Sequence, residues 1–164
     1  MITMGFSLAL TLAMLGVVVL DASRYLIPNS LNFAILLLWL AGIYFLPIHV
    51  LPALAAAGII LLVGLGLFAL GLMGGGDIKL LVVLALWTGW GTATAEFLIL
   101  TAFVGGILVI VLLILRSLVQ VVMKGRNLPR ILIHKQPVPY GLAIAGAFLL
   151  VLWQHHIPAL AAVR

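Results

Sequence analysis

The chain has 164 residues, 66% of them hydrophobic and 7% charged, with a net charge of +5 and no cysteine. That composition cannot give one packed core a water-compatible surface, which excludes an ordinary soluble domain. The apolar residues fall in separate runs of roughly 13 to 22, close to the ~20 that a helix needs to cross a bilayer. An all-α membrane bundle is therefore expected, and not a β-barrel, whose strands are short and alternating.

In chain order the runs predict six transmembrane helices, at Ile2 to Leu20, Ser30 to Leu46, Leu51 to Leu72, Ile78 to Trp90, Phe97 to Leu115 and Val138 to Trp153. The first lacks a basic leading segment and a small-residue cleavage site, so it reads as a retained helix and not as a signal peptide. The fourth and sixth are short enough to be kinked, extended or incompletely spanning. The longest polar connection, Arg116 to Pro137, mixes Leu, Ile and Val with basic residues. It suits an amphipathic segment in the headgroup layer, interrupted at Pro129. No repeat or low-complexity tract divides the chain, so residues 1–164 read as one integral-membrane domain.

Arg24, Lys79, Arg116, Lys124, Arg126, Arg130 and Lys135 all fall at loops one, three and five. Odd loops of a six-helix bundle share one side, and the positive-inside rule makes that side cytoplasmic, with both termini outside. The topology accounts for the basic balance without a nucleic-acid partner and makes anionic lipid headgroups the natural neighbours. Glu96 falls in the fourth loop, on the outer side. His49, His134, His155 and His156 are scattered over both sides with no shared ligand spacing, so no metal site is expected.

Two of the three acidic residues, Asp21 and Asp77, fall at the cytoplasmic ends of helices one and four. Carboxylates beside a membrane are costly and mark function by default. Asp77 also suits the N-cap of helix four. Asp21 has a weaker structural role, because it follows the negative end of helix one, where a carboxylate is disfavoured; a solvated loop position is its plain alternative. If the two meet, they can share a proton and activate a water for attack on a peptide carbonyl. Before Asp77 stand Gly74, Gly75 and Gly76, which remove side-chain bulk and let an extended chain approach.

The Gly74-Gly75-Gly76-Asp77 run resembles the GxGD motif of membrane aspartyl proteases, and Lys79 after it is typical of the type IV prepilin peptidases. Asp21 followed by Ile27-Pro28-Asn29 is similar to that family's first catalytic segment, and Pro139-Tyr140-Gly141 to its late Pro-aromatic-Gly motif. Order, spacing and membrane context agree along nearly the whole chain. The short peptidases of tight-adherence pili, which consist of the six-helix core, are the nearest form. The resemblance implies an aspartic endopeptidase with Asp21 and Asp77 as catalytic pair. Its substrates would be prepilins or pseudopilins, cut at the cytoplasmic membrane face just before their hydrophobic helix. It implies no cofactor. The paired-Cys segment tied to methyltransferase activity in longer relatives has no counterpart, so cleavage without methylation is expected.

The remaining residues carry double readings. Lys79 suits either positive-inside topology or tuning of the neighbouring carboxylate; Asn29 and Ser30 suit the N-cap of helix two, and Pro28 the turn before it. Pro137, Pro139 and Gly141 end the cytoplasmic loop and set the start of helix six. Gly58, Gly64, Gly66, Gly71, Gly105 and Gly106 read as close-packing positions between helices. The alternative from another class is a small proton-coupled transporter or channel component, since membrane carboxylates and glycine-interrupted helices also mark ion pathways.

Overall fold

The computed structural model describes residues 2–122 and 138–155. Lys124, Arg126, Pro129, Arg130, His134, Lys135, Pro137 and His156 lie outside them. Among the described residues the chain is all helical: α1 (Ile2–Arg24), α2 (Asn29–Phe45), α3 (Val50–Ala69), α4 (Gly75–Thr88), α5 (Thr92–Val122) and α6 (Tyr140–His155). Three of these, α1, α3 and α5, are long and apolar enough to cross a membrane by themselves. The six expected helices are all present, and most corrections are at their ends.

The apolar runs underestimate several helices because hydropathy marks the lipid-facing stretch, whereas backbone hydrogen bonding continues until a breaker ends it. Helix α1 runs on through Asp21 to Arg24, so Asp21 stands in a helical turn and not in a loop. Helix α5 takes in both Glu96 and Arg116, which the sequence had assigned to the fourth and fifth loops. Arg116 is 3% exposed. No glycine or proline lies between Arg116 and Val122 to stop the helix.

Helix α4 is central. It packs against α2, α3, α5 and α6, and nine of its 14 residues are buried. At 1.5 Å per residue it is roughly 21 Å long, short of the ~30 Å hydrocarbon layer. Outer helices carry the lipid-facing surface: Leu51, Leu62 and Phe68 on α3, and Phe103 and Ile110 on α5, are exposed. In lipid, helices gain by close packing and by satisfying backbone groups, since burial from water drives little. Gly64 is one such contact, because a Cβ there would fall 2.7 Å from Ile78 Cγ2. Gly105 is another, with Tyr140 Cε1 at 3.0 Å from its would-be Cβ. Gly58, Gly66, Gly71 and Gly106 have nothing within 4 Å, so they are not the packing positions that the sequence suggested. Gly71 instead has φ +70°, which a turn after α3 requires.

Helices α2 and α4 run parallel and brace each other. Trp39 Nε1 donates to the Leu86 carbonyl at 2.8 Å, and Trp87 Nε1 donates to the Ile35 carbonyl at 3.4 Å. Leu86 lies in the last turn of α4, where a carbonyl has no partner within its own helix. The Trp39 indole thus caps α4 from a neighbouring helix. Trp39→Phe keeps most of the packing and orphans that carbonyl, so a loss of about 1–3 kcal/mol is expected. A lowered thermal or denaturant midpoint of the detergent-solubilised protein checks this.

Candidate active site

The first turn of α4 sets one half of the site. Its N-cap is Gly74, with extended backbone (φ −74°, ψ 143°) and no side chain to cap with. Asp77 is the third helical residue, not the cap. Its carboxylate turns back and accepts from the Gly74 backbone N–H, half of a capping box. This fold-back explains Gly74, because a Cβ there would come 2.9 Å from Asp77 Oδ2. Added Cβ atoms on Gly75 and Gly76 would meet Phe68 and Ile27 at 3.6 Å, an ordinary contact. Of the three glycines, Gly74 is therefore the one whose side chain would clash.

Asp21, 4% exposed, sets the other half from the last turn of α1. Its unfavourable place at that helix's negative end is offset by the start of α6, whose Gly141 and Leu142 amides approach the carboxylate. No hydrogen bond of ordinary geometry reaches Asp21 Oδ2. Gly141 permits the approach: a Cβ on it would lie 2.8 Å from Asp21 Oδ2 and 2.9 Å from Ile27 Cδ1. Ile27, 7% exposed, also lines the cavity, and a Cβ on Gly76 or Gly141 would meet it at 3.6 Å or 2.9 Å.

Both carboxylates line one cavity of about 680 Å³. Gly74, Gly75, Gly76, Lys79, Asn29 and Tyr140 line it too, so most of the residues singled out in the sequence come together. Pro28, Pro139 and Gly141 lie behind the lining. Pro28, not Asn29 or Ser30, is the N-cap of α2, and it makes no side-chain cap. Asn29 is thereby free to accept a hydrogen bond from Lys79 Nζ at 3.0 Å, which ties the starts of α2 and α4 together. Tyr25, Leu26 and Met73 also line the cavity and had been passed over in the sequence. For Tyr25 the available signal was its spacing, one helical turn beyond Asp21.

Asp77 stands just before the apolar span of α4. Burial pushes its carboxyl up to about 6, the nearby Asp21 charge adds to the rise, and the Gly74 amide acts against both. Two carboxyl groups close enough for one charge to raise the other's pKa have the chemistry to act as acid and base together.

Residues 8–123 match the model of the type IV leader peptidase family. The chain belongs to that family. It is a membrane protease of the leader-peptidase kind, and the transporter alternative loses its ground. No curated protein and no solved structure matches the chain. The family match takes in Asp21, Asn29, Asp77 and Lys79 but ends before Pro139, Tyr140 and Gly141. The approach of Gly141 to Asp21 is thus a feature of the structure that lies outside the matched residues.

Two outcomes are expected. Labelling of Asp77 by a hydrophobic carbodiimide, which requires the protonated carboxyl, falls as pH rises through about 6; in Asp21→Asn the midpoint moves lower, because the neighbouring charge is gone. Gly141→Ala displaces Asp21 and lowers cleavage by about tenfold to about 100-fold while helix content is retained, as small misplacements of reacting groups do. Mass spectrometry of the labelled peptide and a cleavage assay with circular dichroism read these out.

Proposed function

We propose that this leader peptidase is an aspartic endopeptidase in which Asp21 and Asp77 activate one water. The observation that carries the reading is the convergence of both carboxylates on a single cavity beside the glycine turn, close enough for the Asp21 charge to raise the Asp77 carboxyl. With the pair singly protonated, the ionised carboxylate takes a proton from water as its oxygen attacks the scissile carbonyl carbon. The protonated partner gives its proton to the carbonyl oxygen. The tetrahedral diol then collapses, the C–N bond breaks, and a proton passes to the leaving amine. The proton count of the pair is unchanged over the cycle.

The substrate class proposed is a prepilin-like chain with a short leader ahead of an apolar helix. An extended leader fits a cavity at the helix ends, and the apolar helix stays in the lipid beside the bundle. Arg24 and Lys79 lie at the same end as the cavity, and the positive-inside rule makes that end cytoplasmic. The cytoplasmic membrane of a bacterium is the compartment this implies. Lys79 lines the cavity with its Nζ donating to Asn29, a position from which it can meet a bound chain. Residues 1–164 act as one catalytic domain in this reading, which requires neither a cofactor nor methyl transfer.

Asp21→Asn and Asp77→Asn keep the side-chain shape and cannot share a proton. Each is expected to insert normally and to lose cleavage of a co-expressed prepilin by at least about 1000-fold, the scale on which loss of a catalytic group is felt. Immunoblotting of leader-bearing and mature substrate, with membrane extraction of each variant, provides the measurement. Full activity in either variant would sink the dyad.

A further inference from the structure

Tyr25 combines three features that packing alone does not account for. It follows the last residue of α1, and its N–H donates to the Asp21 carbonyl at 2.9 Å, so one turn of chain carries both residues. Its φ of +54° is the only positive value at a non-glycine among the described residues. A helix end of this left-handed kind is ordinarily made by glycine, and a Cβ there is strained. Among the described residues its hydroxyl is buried and has no hydrogen-bond partner, and the residue borders the same cavity as Asp21 and Asp77.

If the residue served only to end α1, glycine would do so without strain. If it served only to fill space, phenylalanine would do so without an orphaned donor. What tyrosine alone supplies is an O–H on a rigid ring, held on the turn that carries Asp21. Tyr140, the other tyrosine on the cavity, packs its ring against Gly105 and has no such orphan. An extended peptide in the cavity brings backbone carbonyl oxygens, acceptors that match a lone donor.

Resting on the aspartic reading above, we propose that Tyr25 is a substrate-binding residue whose phenolic O–H donates to a backbone carbonyl of the bound leader and fixes its register over the two carboxylates.

The test is steady-state cleavage of a prepilin peptide by the purified full chain in detergent, for wild type, Tyr25→Phe and a variant carrying 3-fluorotyrosine at position 25. Tyr25→Phe is expected to keep or raise the thermal midpoint, since it removes an orphaned donor, and to raise KM about tenfold, the equivalent of one lost hydrogen bond. Fluorotyrosine keeps the shape and strengthens the donor, so KM is expected to fall. An unchanged KM in Tyr25→Phe overturns the proposal, as does a lowered midpoint with KM unmoved. If Tyr25→Phe fails to fold, the fluorotyrosine variant decides alone, and an unaltered KM there overturns it. Asp21→Asn and Asp77→Asn run alongside: if they are inactive while Tyr25→Phe matches wild type, this inference fails and the aspartic reading stands. If either Asn variant cleaves normally, the reading beneath it fails instead.

Discussion

Everything at the site depends on holding a short helix inside a bundle of longer ones. Helix α4 spans less than the hydrocarbon thickness, so its ends cannot both reach headgroups and water. Its backbone must find partners within the protein. At the start the partner is Asp77, bonded back to the Gly74 amide; at the end it is the Trp39 indole on the Leu86 carbonyl. The same shortness leaves room for a cavity at its start. A helix as long as α5, placed in the middle, would leave no such recess.

The two acidic residues meet by opposite electrostatic routes. Asp77 lies at the positive end of its own helix, which favours its charge, while burial and its neighbour oppose it. Asp21 lies at the negative end of its own helix and is met by the positive end of another. Each carboxylate is thus met by the start of a helix, Asp77 by that of α4 and Asp21 by that of α6. Ile27 lies close to both helix starts, at Gly76 of α4 and Gly141 of α6, so the apolar residue of the Ile-Pro-Asn segment also borders the site.

Much of this was legible in the sequence, for definite reasons. Spans are long and apolar, so their number could be read. Loop charges fixed which ends lie together, and that alone brought Asp21 and Asp77 to one face. What could not be read was decided by backbone geometry or by tertiary contact. Asn29 looks like a cap and instead receives Lys79, because Pro28 already holds the cap position. Arg116 looks like the start of a loop and is buried in a helix that nothing interrupts. Glycines of identical appearance divide into Gly64, Gly74 and Gly141, with no room for a methyl group, and Gly58 and Gly66, with nothing near them. Tyr25 could be placed near Asp21 by its one-turn spacing, but its left-handed φ leaves no mark on composition or periodicity.

The dependence of Asp21 on Gly141 has a consequence for the order in which the molecule is made. Asp21 leaves the ribosome early, in α1, while the amides that face it belong to α6. Until α6 has been threaded into the bilayer and docked on α1, the first carboxylate has no compensating dipole and the cavity lacks its Tyr140 wall. A chain not yet made through α6 therefore carries both acids without the finished cavity around them.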